Sequence, residues 1–156
     1  MKNIVIISGG SENEFHVSLA SAFHISKQIS KKNLFNFFNI IVLPNKKWIY
    51  SNDFSSFFIN TENIKEISYN SIHEEIFQIG KGKINNIKID CALLTTHGSS
   101  GEDGEIQGFL KMNQIKFTGS DILGSAITLD KEICKIVVKN MGINVVPYIT
   151  LYKNEK

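Results

Sequence analysis

The sequence predicts an α/β domain in which a mostly parallel sheet is flanked by helices. A β-branched run, Asn3-Ile4-Val5-Ile6-Ile7-Ser8, stops at Gly9-Gly10, as a strand buried on both faces does. A second run, from Cys91 to Thr96, is almost all apolar or Thr and stops at another glycine-rich loop, His97-Gly98-Ser99-Ser100-Gly101-Glu102-Asp103-Gly104. Stretches of helical spacing alternate with these runs, the order that crossover connections between parallel strands require.

Taken in order, the first strand at 3–8 leads through the glycine turn into a helix over 14–30. There Val17, Ala20, Ser21, His24, Ile25 and Gln28 recur at spacings of three and four as a partly apolar stripe. Ser11 and Asn13 stand before it as caps. Strand, turn and helix make the first half of a βαβ unit. A second strand at 37–43 closes at Pro44-Asn45, and 47–50 pairs back on it. The stretch 51–83 is rich in Asn, Ser and Phe, and its pattern suggests only a short helix at 72–79. Residues 84–89 read as an edge strand or hairpin partner, and 91–96 as a buried strand. A helix at 104–112, a short strand at 115–118 and helices at 121–126 and 130–141 follow. The last helix closes at Gly142 as a C-cap. Residues 145–151 open a further strand. There is no internal repeat.

Composition limits the function classes. The 156 residues are 42% hydrophobic, enough for one core, and carry a formal net charge of +2. That near balance disfavours nucleic acid as a partner. All 17 basic residues are Lys, so a bidentate guanidinium grip on carboxylate or phosphate has to come from elsewhere. The two Cys, Cys91 and Cys134, suit a reducing compartment and read as ordinary core residues rather than a disulfide or zinc framework. The N-terminal apolar run is too short for a signal peptide or a membrane span. The expectation is a cytoplasmic globular domain that engages neither membrane nor nucleic acid.

Ligands of open α/β sheets bind at the carboxyl ends of the strands, and both glycine-rich loops fall there. The first, Gly9-Gly10-Ser11-Glu12-Asn13-Glu14, permits close backbone approach but lacks dinucleotide spacing and carries two carboxylates. A substrate ammonium suits it better than a pyrophosphate; solvated carboxylates at a helix start are the bland alternative. In the second loop His97 is placed to stabilise developing negative charge, while Glu102 and Asp103 either orient it or cap the next helix. The His97-to-Glu102 spacing does not match a helical metal motif, so no metal site is expected. Lys131 and Lys135 stand one helical turn apart, either as a solvated face or as a phosphate contact. His24 reads as partly buried on the first helix, and Trp48 and the many Phe as core or interface mass.

These motifs, collinear along the chain, resemble the N-terminal part of D-alanine–D-alanine ligases of the ATP-grasp superfamily. They are Gly9-Gly10 with Glu14 and Val17-Ser18, then His97-Gly98-x-x-Gly101-Glu102-Asp103-Gly104 with Ile106-Gln107-Gly108. Thr118-Gly119-Ser120, Ser125-Ala126, Asp130-Lys131, Lys135, Gly142-Ile143 and Val145-Val146-Pro147 follow. The resemblance covers nearly the whole chain and is weakest over 51–83. It implies a Rossmann-like N-terminal substrate-side domain at 1–120. Linker helices and the first strand of a truncated ATP-grasp region would then occupy 121–156.

The implied reaction uses ATP and Mg2+ to phosphorylate the carboxylate of one D-alanine. The amine of a second D-alanine displaces the phosphate, and the dipeptide enters peptidoglycan and cell-wall synthesis. Carried over residue by residue, the resemblance implies that Glu14 pairs with the first D-alanine's ammonium and that Val17 and Ser18 line its pocket. His97 would lie by the reacting carboxylate with Gly98 beside it, Glu102 would support the site from behind, and Lys131 would face the nucleotide phosphates.

The chain departs from the family pattern at His16, where a second carboxylate is usual. Such ligases run to roughly twice this length. A missing C-terminal ATP-grasp half would therefore supply the remaining phosphate-binding lysines, the magnesium ligands and an Arg. Alone, this chain is expected to be inactive. Many family members form homodimers. The alternative is a non-catalytic remnant that binds an amino acid or a partner.

Overall fold

The computed structural model describes residues 1–51 and 77–152. The order of elements is β1 (Lys2–Gly9), α1 (Phe15–Ser30), β2 (Phe35–Val42), β3 (Trp48–Ser51), β4 (Ile79–Gly80), β5 (Lys83–Ile84), β6 (Ile87–Lys88), β7 (Cys91–Leu94), α2 (Glu105–Met112), α3 (Ile122–Leu129) and α4 (Lys131–Asn140). The main sheet runs β3-β2-β1-β7. β1 is parallel to both β2 and β7, and β3 is an antiparallel edge. The predicted α/β architecture is therefore present. The antiparallel β3 follows from the tight turn at Pro44-Asn45, since only an antiparallel partner can be reached without a crossover.

Alternate residues of the sheet feed two cores. Val5 and Ile7 of β1, with Ile40 and Val42 of β2, pack on Ile106 and Leu110 of α2 and on Ile84 of β5. Ile6 and Ile41 point the other way, onto Phe15, Leu19 and Ala22 of α1. This two-sided burial is why β1 and β2 read as continuous apolar runs rather than as an alternation. The strand order puts the carboxyl ends of β1 and β7 side by side.

Several local expectations are corrected. The buried face of α1 is Phe15, Ser18, Leu19 and Ala22, not the stripe through Val17, and His24 is exposed. A small polar residue, Ser18, sits at the centre of that face and disguised its phase. The N-cap is Glu14, whose side chain makes no capping bond; neither Ser11 nor Asn13 holds that position. The strand expected over 84–89 is split into β5 and β6 by Asn85-Asn86, both at positive φ (48° and 64°). Asn tolerates that conformation, and two such residues make the turn whose twist suits a two-residue hairpin. The strand at 115–118 is reduced to a single parallel bridge, Ala92 to Phe117. The helix expected at 72–79 falls mainly outside the described residues, and its last residue opens β4. Residues 145–151 form no strand: no neighbouring strand among the described residues completes a ladder there, and Val146, Ile149 and Leu151 are exposed. Cys91 and Cys134 are only partly buried, and burial pushes the Cys91 thiol up despite the nearby Lys116.

The C-terminal helices are set by local chemistry. Asp121 Oδ1 accepts from Gly124 N at 2.8 Å and starts α3. Asp130 Oδ1 accepts from Glu132 N and Ile133 N, both at 3.0 Å, and starts α4. Gly142, at φ 81°, ends α4: its N–H reaches the Lys139 carbonyl and Ile143 N–H the Val138 carbonyl. The chain then turns back on α4. There Thr150 and Tyr152 hydroxyls donate to Glu132 Oε1 at 3.0 and 3.3 Å, and Glu132 raises the Tyr152 phenol pKa. No helix among the described residues is long and apolar enough to cross a membrane.

Because α4 buries no residue fully, its cap carries an unusual share of its stability. Asp130→Ala is expected to cost about 1 kcal/mol locally, speeding amide exchange in α4 about fivefold while β1 exchange stays unchanged. Residue-resolved hydrogen exchange checks this.

Candidate functional site

The site begins where β1 and β7 end. Thr95 N–H donates to the Ile7 carbonyl at 2.9 Å, and in a parallel ladder the next rung would run from Gly9 N–H to the Thr95 carbonyl. The hydroxyl of Ser18 occupies that rung. It accepts from Gly9 N at 2.7 Å and donates to Thr95 O at 2.7 Å, fully buried. The first turn of α1 is thereby fastened to both strand ends, and the ladder resumes in a single bridge, Gly10 to His97. Gly9 is obligatory here: at φ 95° a Cβ would collide with the Val42 carbonyl.

Two loops face each other above this junction. Glu14 lies at the entry to α1, exposed, with its Oε2 3.4 Å from the Ser11 hydroxyl. The same carboxylate lies directly over Gly98, so that a Cβ there, at φ 69°, would strike it. Gly98 N–H donates to Glu102 Oε2 at 3.0 Å, and Glu102 Oε1 is 3.6 Å from His97 Nδ1. Gly98 is thus the point where the Glu14 turn and the His97 loop touch. Asp103 serves the helix instead. Its carboxylate accepts from Ser100 N at 2.6 Å and Glu105 N at 3.0 Å, fixing the start of α2. The two alternatives read for the carboxylate pair are therefore divided between them, Glu102 beside His97 and Asp103 at the helix.

The expected site residues take distinct places. Glu14, His97, Gly98 and Glu102 are brought together. Val17 projects from the same turn of α1 and is 58% exposed, while Ser18 lies beneath with both hydroxyl bonds committed to backbone. Lys131 stands on a separate cleft of about 470 Å³, whose walls include Thr96, Glu102, Gln107, Ser120 and Ser125. Gly101 and Glu102 are shared between that cleft and the His97 loop. Lys135 does not accompany Lys131: its ammonium sits 4.4 Å from the centroid of the Tyr148 ring. His16 stays near the site with its Nδ1 buried and unpartnered.

The chemistry of this turn is anionic. Among the described residues no Lys pairs with Glu14, and no three His, Cys, Asp or Glu side chains cluster to hold a metal ion. A carboxylate beside exposed backbone, with no protein cation on it, has the chemistry to receive an ammonium ligand. The His97 imidazole, 3.6 Å from a Glu102 oxygen, places a potential hydrogen-bond donor next to it. Sequence reasoning did not single out Thr96 or Gln107 as walls of the Lys131 cleft. The signal available was the placement of Gln107 three residues after Gly104, in the motif that follows the His97 loop.

Comparison with known proteins gives the family and the fold. The family model described as D-ala D-ala ligase N-terminus matches residues 3–120. The D-alanine–D-alanine ligase of Blochmanniella floridana is 37% identical over 161 residues, covering 97% of this chain and 43% of that protein. The structure of the D-alanine–D-alanine ligase from Coxiella burnetii superposes with a TM-score of 0.81 at 23% identity, over 100% of this chain and 47% of that one. The VanG D-Ala:D-Ser ligase of Enterococcus faecalis gives a TM-score of 0.76 at 26% identity, over 92% of this chain and 43% of that one. The chain therefore spans less than half the length of the curated relatives it matches.

Ser18→Ala leaves Gly9 N–H and the Thr95 carbonyl without their partner in a buried junction. The expected loss of stability is about 2 kcal/mol or more, read as a lower urea midpoint at unchanged slope.

Proposed function

The chain belongs to the family of D-alanine–D-alanine ligase N-termini, and we propose accordingly that it forms the amino-acid-binding part of an ATP-dependent D-alanine–D-alanine ligase. The observation that carries this reading is the Glu14 carboxylate seated on Gly98 with no lysine paired to it among the described residues. In the proposal, Glu14 receives the ammonium of the first D-alanine, and Val17, exposed on the same helical turn, borders its small side chain. His97, positioned by Glu102, donates to the substrate carboxylate as that group becomes an acyl phosphate. Ser18 acts from below by fixing the distance between the two turns.

The nucleotide is proposed to approach from the Lys131 cleft. Lys131 suits one phosphate contact there. Among the described residues no three His, Cys, Asp or Glu side chains cluster to hold a metal ion. Metal and further phosphate ligands would come from the remainder of the ligase, as would the residues that select the second amino acid. The division into a substrate-side domain at 1–120 and a linker at 121–156 belongs to the same proposal. So do a cytoplasmic setting, a role in peptidoglycan precursor synthesis and assembly as a homodimer.

A second reading, a non-catalytic amino-acid- or partner-binding module, draws on the exposed apolar residues Val146, Ile149 and Leu151. In the ligase reading the same surface meets the rest of the enzyme.

Calorimetric titration tests the site. D-alanine is expected to bind the chain, and Glu14→Gln to weaken it roughly tenfold or more, the value of a charge-assisted contact. Adding the separately expressed C-terminal remainder of a relative separates the two readings. D-alanine-dependent phosphate release supports the ligase, and binding without release supports the module.

A further inference from the structure

The loop that carries His97 and Glu102 is closed on itself. Gly101 N–H and Glu102 N–H both donate to the Gly98 carbonyl, at 3.1 and 2.9 Å, and Gly98 N–H returns a bond to the Glu102 carboxylate at 3.0 Å. Such a ring keeps its own shape, but those bonds do not attach it to the scaffold. The Gly10–His97 bridge ties one end of the loop to the sheet, and the Gly101 carbonyl ties the other. That carbonyl accepts from Thr96 Oγ1 at 3.3 Å and from Gln107 Nε2 at 3.2 Å. Thr96 follows the end of β7 and Gln107 lies on the first turn of α2, so one carbonyl joins a strand end to a helix. Both side chains are buried, at 7% and 5% exposure. The approach is so close that a Cβ on Gly101 would lie 2.7 Å from Thr96 Cβ.

We propose that Thr96 and Gln107 are positioning residues of the amino-acid site, a pair of donors that hold the Gly101 carbonyl and so fix the loop from which His97 and Glu102 face the Glu14 turn. Only the donor end of the Gln107 amide is used; its Oε1 is buried with no partner. Burying an unpaired amide oxygen is costly, so space-filling alone does not account for a glutamine here. Neither residue touches the amino acid in this scheme. They act through the loop, and the proposal deepens the D-alanine-site reading on which it rests.

The test uses the full 156-residue chain. Gln107→Met keeps the volume and removes the donor. Thr96→Val does the same from the strand side, and Thr96→Ser restores the hydroxyl. Amide exchange of Gly101 and Glu102 is expected to accelerate tenfold or more in Gln107→Met and in Thr96→Val. Exchange of Val5 to Ile7 in β1 should change less than twofold, and Thr96→Ser should behave as the parent chain. The same two donor-less variants should weaken D-alanine at least fivefold. Exchange that rises equally in loop and β1, or that stays unchanged in the loop, overturns the proposal. So does unaltered D-alanine affinity with a loosened loop. If either variant fails to fold, the other decides the outcome. A parent chain that binds no D-alanine defeats the substrate reading instead, with the exchange data still deciding whether the clamp exists.

Discussion

The hydroxyl of Ser18 takes the place of a backbone rung between β1 and β7, and the arrangement above it rests on that replacement. Were Gly9 N–H to bond Thr95 directly, the first turn of α1 would lose its fixed anchor on the sheet. With the hydroxyl in between, α1, β1 and β7 meet at one buried atom. Glu14 on the helix side and Gly98 on the strand side are then brought into contact. The glycines at 9 and 98 follow from the same closeness, since each sits where any side chain would strike a neighbour at a positive φ.

Charge is distributed to match. The carboxylates of Glu14 and Glu102 border the Gly98 contact, and the His97 imidazole lies 3.6 Å from a Glu102 oxygen. Among the described residues, Lys135 lies over Tyr148, Lys46 pairs with Glu105 at 3.6 Å, and Lys131 faces the neighbouring cleft. In the proposed reading, the anionic turn takes the ammonium of the amino acid and the cleft with Lys131 lies toward the phosphate.

Much of the scaffold was legible because its causes are local. The runs ending at Gly9 and His97, the helix starts near Asp121 and Asp130, and the Gly142 terminus all carry signals within a few positions of one another. What escaped reading depends on distant partners. The buried face of α1 was misphased because Ser18, polar by itself, is at home in the core only beside Gly9 and Thr95, the latter 77 positions away. A strand over 145–151 has the right composition, yet a strand exists only where a neighbour completes its ladder. The division of labour between Glu102 and Asp103 could not be read from two adjacent carboxylates, because it is decided by which backbone amides the loop presents.

If the Glu14 turn and the His97 loop form one amino-acid site, a single ligand must perturb both. This is read by following the backbone amide resonances of the isotopically labelled chain during titration with D-alanine and, separately, L-alanine. Saturable shifts centred on Gly10 to Glu14 and His97 to Glu102, larger for D-alanine, are predicted. An unperturbed spectrum, or shifts centred instead on Trp48, Ile79 and Phe109, which line another cleft, would show that the two loops do not form that site.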